Sequence, residues 1–228
     1  MGALIRYHFI TYIKSYRYIP PLALYIISLC MNYTYRPNPV LDSFFNTALF
    51  LFFLTTWFTM SLFHAEDSSQ EVITKLHVGK KNKYFMSKLI TCMLLFTFLS
   101  AVSIAYPVLL DMFEVDISTK QMVFGFIIHW TFSLLGMSIG LVFTRDVVRE
   151  GSLSWFGPLF ILIVTLAAAG VSFPYQGGGL LLYVLPPVSA IIQFINEGLN
   201  KFLVFGWALL YAIALISLYL WRANRRDV

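Results

Sequence analysis

Apolar and polar positions alternate along this chain in long blocks. Six apolar blocks run from about Tyr18 to Tyr35, Ser43 to His64, Phe85 to Leu110, Gln121 to Thr144, Ser152 to Phe173 and Phe202 to Trp221. Each lies near the roughly 20 residues that a helix needs to cross the hydrocarbon of a bilayer. The pattern therefore predicts an all-α integral membrane protein with six transmembrane helices in a single domain over residues 1–228. Ahead of the first block, MGALIRYHFITYIKSYRY gathers Ile5, Phe9, Tyr12, Ile13 and Tyr16 on one side of a helix and Arg6, Lys14 and Arg17 on another. This predicts an N-terminal interfacial amphipathic helix over 1–18. Pro20 and Pro21 supply an elbow into the membrane, because a proline at a helix start loses no needed hydrogen bond.

Two gaps between blocks have a pattern of their own. In HAEDSSQEVITKLHVGKKNKYF, Ser68 and Glu71 read as an S-x-x-E capping box, and Gly79 followed by lysines suits a helix C-terminus. A short helix over 68–79 is expected, with a solvated loop as the plainer alternative. The gap PYQGGGLLLYVLPPVSAIIQFINEGLNK is apolar, yet Gly177 to Gly179 and Pro186 to Pro187 cut it into pieces too short to cross. It predicts an external re-entrant segment over 174–200 that buries Leu180, Leu181, Leu182, Ile191, Ile192 and Phe194, with an apolar surface loop as the alternative. The gap TRDVVREGS is short, and Arg145, Asp146, Arg149 and Glu150 are spaced to pair within one helical turn.

Charge orients the blocks. Of sixteen basic residues, only Arg36, Lys120 and Lys201 fall outside the gaps that a cytoplasmic N-terminus makes internal. The positive-inside rule then predicts a multi-pass protein of the cell membrane with both termini in the cytoplasm. With 59% hydrophobic and 12% charged residues, a water-soluble globule is excluded. The net charge of +5 does not indicate nucleic acid, since the basic residues sit at the inner ends of apolar blocks, where they match anionic lipid head groups. Aromatic residues near block ends (Tyr16, Tyr18, Tyr33, Tyr35, Tyr84, Trp155, Trp221) suit an interfacial belt. No cleavable signal peptide is expected. Cys30 and Cys92 fall toward opposite ends of different blocks, which disfavours a disulfide, and two cysteines are too few for a metal site.

Catalytic and nucleotide motifs are missing: there is no phosphate-binding glycine loop, no H-E-x-x-H, no G-x-S-x-G, and no carboxylate pair within a block. The expectation is a non-enzymatic chain with no cofactor of its own. His129 is the one ionisable residue near the middle of a block; a neutral histidine bonded to a neighbouring helix is favoured over a transport role. Asn46, Thr55 and His129 are the candidates for a translocation path, although hydroxyls in membrane helices more often bond carbonyls. Gly136 and Gly140 form a G-x-x-x-G that permits close helix approach.

The interfacial helix, six spans, short inner helix and interrupted apolar segment together resemble a type-2 ABC transporter permease. The most specific stretch is EDSSQEVITKLHVGKKNKYFMSKLI, similar to that family's acidic start, coupling helix and lysine-led entry into the third span, with Lys80, Lys81 and Asn82 where the family often has a proline. The resemblance implies one transmembrane subunit of an exporter in a bacterial plasma membrane, paired with a second permease subunit and served by ABC ATPase subunits that bind ATP and magnesium. It implies coupling through Ser68, Glu71, Val72, Ile73, Thr74, Lys75, Leu76, His77 and Gly79, and an external gate at Leu182, Pro186, Pro187 and Ile192. A hydrophobic or amphipathic peptide or drug is the favoured cargo. A membrane scaffold or assembly factor and an integral-membrane lipid-modifying enzyme are the alternatives.

Overall fold

The computed structural model describes residues 1–148, 152–170, 185–191 and 201–225. Eight helices carry the described chain: α1 (Gly2–Ser15), α2 (Ile19–Asn32), α3 (Val40–Phe63), α4 (Ser68–Val78), α5 (Lys81–Leu109), α6 (Thr119–Val142), α7 (Ser152–Gly170) and α8 (Lys201–Arg225). Among the described residues there is no strand, only an isolated bridge between Asn38 and Phe113. The all-helical expectation holds.

Among the described residues, four helices are long and apolar enough to cross a membrane: α3, α5, α6 and the Leu203–Arg225 part of α8. The expectation of six is met only in part. The apolar run of α2 covers Ile19–Asn32 and that of α7 covers Leu153–Ala168. At 1.5 Å per residue, the 14 residues of α2 rise about 21 Å, short of a hydrocarbon core of about 30 Å. Burial is distributed as in a protein surrounded by lipid. Thr55, Ser100, His129 and Ser133 are enclosed, while Leu94, Phe98, Phe156, Phe160 and Leu210 stand out from the surface. In water such a surface would be unstable; in hydrocarbon it is the lowest-energy one.

The centre of the bundle is the α3–α6 contact, and glycine makes it close. A Cβ on Gly136 would collide with the Phe52 carbonyl and the Thr55 hydroxyl, and one on Gly140 would lie 2.7 Å from the Thr56 carbonyl. The G-x-x-x-G therefore joins two helices of one chain. Thr56 donates across this seam to the Gly136 carbonyl at 3.0 Å. α5 and α8 also pack on α6, α2 lies against α3, and α1 and α4 lie against α5. Tyr25 links α2 to α5 by donating to the Leu99 carbonyl at 2.8 Å and lying 2.9 Å from the Ser103 hydroxyl.

α1 is two-faced in an unexpected way. Its protein-facing side is polar and aromatic: His8 Nε2 lies 2.9 Å from the Ser87 hydroxyl, and the Tyr12 hydroxyl lies 2.7 Å from that of Ser61. Phe9 and Ile13, with Tyr16 just past the helix, are exposed away from the bundle. Pro20 and Pro21 stand in the first turn of α2, at the expected elbow. Of the aromatic belt, Tyr33 and Tyr84 are corrected: both are buried in the core. Cys30 and Cys92 are free thiols, one exposed and one buried.

Candidate functional site

α4 is the expected short helix, and its ends are set by local chemistry. Gly79 takes the left-handed conformation (φ 70°) that closes the last turn, and the preceding residues Lys75 and Leu76 accept its N–H. The start differs from expectation. Asp67, not Ser68, is the N-cap, accepting the Ser69 N–H at 3.2 Å. Glu71 is not a capping residue, because a stronger claim draws it inward. A true capping box does occur in the chain, at the start of α6, where Ser118 accepts the Gln121 N–H and Gln121 accepts that of Ser118.

Glu71 joins a buried cluster in which three acids meet three bases. Lys75 Nζ lies 2.8 Å from Glu71 Oε1 and 3.4 Å from Asp146 Oδ1. Lys88 Nζ lies 3.8 Å from both Glu66 Oε2 and Glu71 Oε1, and Arg145 pairs directly with Glu71 Oε2. Arg145 also donates to the Glu66 carbonyl at 2.6 Å. Hydroxyls meet the carboxylates of Glu66 and Asp146. Glu66 Oε1 accepts from Tyr7 at 2.8 Å and Thr74 at 2.6 Å, Glu66 Oε2 from Tyr84 at 2.6 Å, and Asp146 Oδ2 from Tyr219 at 3.2 Å. The Lys88 ammonium sits over the Tyr84 ring at 4.6 Å, and Lys75 over Phe85 at 4.7 Å.

The cluster ties together α1, the α3–α4 turn, α4, the start of α5, the segment after α6, and the last turns of α8. The charge pattern assigns all of these to one side, and they do gather at one end of the bundle. Tyr33, Val40, Phe44 and Phe113 gather at the other, where Phe44 and Phe113 rings lie 5.3 Å apart.

Burial alone would drive the carboxylates toward their neutral forms, but the partners outweigh it. For Glu66, hydrogen bonds from Thr74 and Tyr84 and the charge of Lys88 overcome desolvation and hold the carboxyl below the usual range. For Glu71, the charge of Lys88, the hydrogen bond and charge of Lys75 and the charge of Arg145 do the same. His8, beside the cluster, is pushed down to about 4 by burial and by Lys88, so it is neutral at pH 7.

These contacts correct several sequence expectations. Lys75, Lys88 and Arg145 are not lipid head-group anchors, because each is paired with an acid inside the protein. Arg145 and Asp146 reach α4 through Glu71 and Lys75; Arg149 and Glu150, the other members of the expected turn, lie outside the described residues. His64, just past the end of α3, is half-buried, and its Nε2 accepts the Arg145 N–H at 3.0 Å. Glu66 is the cluster member that sequence reasoning does not single out. Its signal is an acid two residues past an apolar block, at the start of a gap that also carries four lysines.

α4 itself is divided. Glu71, Thr74 and Lys75 face the cluster and Val72 is half-buried, while Ser68, Ile73, Leu76, His77 and Gly79 face away. Ile73 is 66% and Leu76 72% exposed, on a face that the bundle does not use.

The path candidates separate. Thr55 is enclosed between α3 and α6, donating to the Leu51 carbonyl at 2.8 Å. His129 is fully buried; its Nδ1 donates to the Gly125 carbonyl at 2.8 Å, and its Nε2 lies 2.9 Å from the Thr47 hydroxyl. Both ring nitrogens are used, Nδ1 within its own helix and Nε2 across to α3. Asn46 alone is exposed, on the α3 face that also carries Asp42, Phe50 and Trp57. Of the gate residues, Leu182 and Ile192 lie outside the described residues, as do Leu180, Leu181 and Phe194. Pro186 and Pro187 are buried and lead into a helical turn over 188–191, whose Val188 and Ile191 enter the main core. The turn opens with the Val188 N–H donating to the Pro186 carbonyl at 2.7 Å.

No protein-family model, curated protein or solved structure matches this chain.

Proposed function

We propose that this chain is the non-catalytic transmembrane subunit of an ATP-driven exporter of the type-2 ABC kind, paired with a second permease subunit and with separate ATPase subunits that bind ATP and magnesium. The observation that supports this reading is the division of α4. One face is tied by buried charges to α5 and the segment after α6, and through Asp146 to Tyr219 of α8, and the other offers Ile73 and Leu76 to a partner. A docked partner that moved α4 would move Glu71 and Lys75, and with them α5, α8 and the segment after α6. That is what a coupling helix must do. In this reading α2 and α7, with flanking residues, complete six crossings, both termini are cytoplasmic, and the segment from 174 to 200 forms the outer gate. The exposed α3 face at Asn46 faces the path, and the cargo is a hydrophobic or amphipathic peptide or drug.

The test is to purify the tagged full-length chain from its native membrane and identify co-purifying proteins by mass spectrometry. An ATPase carrying a phosphate-binding loop should appear. It should be lost in Ile73→Ser/Leu76→Ser, which leaves the buried cluster untouched, and in Leu76→Pro, which breaks the helix. No such ATPase, or equal recovery with both variants, sinks the proposal. Orientation is tested separately by thiol labelling: single cysteines at Asn38 and Thr119 should react from outside the cell, and those at Lys81 and Arg225 should not.

A further inference from the structure

Where α1 overhangs α5, the two helices leave a groove of about 550 Å3 lined by Gly2, Ile5, Arg6 and Phe9 from α1 and Thr91, Leu94, Leu95 and Phe98 from α5. We infer that this groove is a binding site for one anionic phospholipid, with an acyl chain along Leu94, Leu95 and Phe98 and the phosphate on Arg6. The inference needs only that the chain lies in a membrane and is independent of the exporter reading.

Both walls are single helix faces, at i, i+3, i+4, i+7 spacing, so the groove is a continuous slot along two rods. Its volume falls within the range of small-molecule sites, about 300–1,000 Å3. The walls are fixed to each other. The His8–Ser87 contact at 2.9 Å and the Tyr12–Ser61 contact at 2.7 Å hold α1 against the bundle just beyond the groove. The lining is almost wholly apolar except at one point, Arg6, which is exposed and makes no hydrogen bond or ion pair among the described residues. The Thr91 hydroxyl is turned to the Ser87 carbonyl at 2.8 Å and leaves the α5 wall apolar. An occupant must therefore be a long apolar body with an anionic end placed at the interfacial level of α1. A phospholipid has this shape, and its phosphate suits the planar guanidinium. A second copy of this chain fits less well. A two-fold contact would bring the same patch onto itself, placing two Arg6 side chains together with no acid in the lining to receive either.

The experiment reconstitutes the full-length protein in nanodiscs with phosphatidylcholine, doped with phosphatidylglycerol bearing a photoreactive diazirine in its acyl chain. Labelled peptides are then mapped. Labelling should concentrate on the peptides carrying Phe9 and Leu94 to Phe98, and excess unlabelled phosphatidylglycerol should compete at least fivefold better than phosphatidylcholine. Arg6→Gln should abolish that preference, Arg6→Lys should retain part of it, and Lys14→Gln, a charge change on α1 outside the groove, should leave it intact. Leu95→Trp should fill the slot and lower labelling by either lipid. The inference fails if Arg6→Gln keeps the wild-type preference, if α8 peptides around Leu210 label as strongly as the groove, or if cysteines at Phe9 cross-link between two copies.

Discussion

Two buried polar regions of this protein solve the same problem in opposite ways. In the α3–α6 seam, most hydroxyls are satisfied close at hand: Thr55 by Leu51, Thr59 by Thr55 and Ser133 by His129, each four residues back on its own helix, while Thr47 and Thr56 also reach across. Such bonds cost the fold little and connect little. In the charge cluster, by contrast, Glu66 and Lys88, Arg145 and Glu71, and Tyr219 and Asp146 come from separated parts of the chain. The seam holds two helices at a fixed distance, whereas the cluster makes six chain segments respond together. A partner that pushes on the cluster would be felt throughout the charged end; one that pushed on the seam would meet only close packing.

The contrast is broken most severely by removing Lys88. Lys88→Met leaves Glu66 and Glu71 buried with fewer compensating charges, and loss of one partner from a buried ion pair costs about 3–5 kcal/mol. Detergent-solubilised protein should show the largest fall in melting temperature of any single change. The triple variant Lys88→Met/Glu66→Gln/Glu71→Gln should recover much of it, because it removes the stranded charges as well. If Lys88→Met melts like the wild type, the cluster is not the tie described here.

Next in size is the seam. Gly136→Val places a branched side chain against the Phe52 carbonyl and Thr55, and overpacking of this kind costs about 1–3 kcal/mol. The same substitution at Gly206, where an added Cβ meets nothing within 4 Å, should change the melting temperature little.

Acid should next act at the charged end, beside the cluster. His8 titrates at about 4 in the folded protein against 6.5 when unfolded, so below pH 6.5 the unfolded chain takes up a proton that the folded one refuses. Stability is therefore lost as pH falls from 6.5 toward 4, and His8→Gln should flatten that part of the melting profile. Glu66 and Glu71 have folded values held below the usual range, so their contribution is present above that range and is lost only at lower pH, as they protonate. Around His8 the charged groups are Lys88, Glu66 and Glu71.

The smallest effect belongs to a hydroxyl in the seam. Thr55→Val removes a bond that Thr55 makes to its own helix and keeps the shape, so a change of about 1 kcal/mol or less is expected in thermal melts. A larger loss would mean that the Thr55 hydroxyl carries a cross-helix role.

Many features of the fold are legible in the amino-acid sequence alone. The apolar blocks, the elbow at Pro20 and Pro21, the α4 helix ending at Gly79 and the close approach at Gly136 and Gly140 are all written in short-range pattern, because helix periodicity, proline and glycine act within a few residues of themselves. The charged cluster is not legible there, because its pairs are distant in sequence. Set against Ser68, three residues away, Glu71 looks like a cap; it becomes an ion-pair partner only when α5 and the segment after α6 bring Lys88 and Arg145 to it. Lys88 looks like an interfacial anchor for the same reason. Composition and periodicity determine which segments leave water and which ends are charged, since transfer into lipid depends on each segment's own side chains. Which charges face each other, which face of α4 is left bare, and whether His129 is a lone polar group or a satisfied one are decided by tertiary packing, because desolvation favours a partner for a buried polar group and the neighbouring helices determine which partners are within reach.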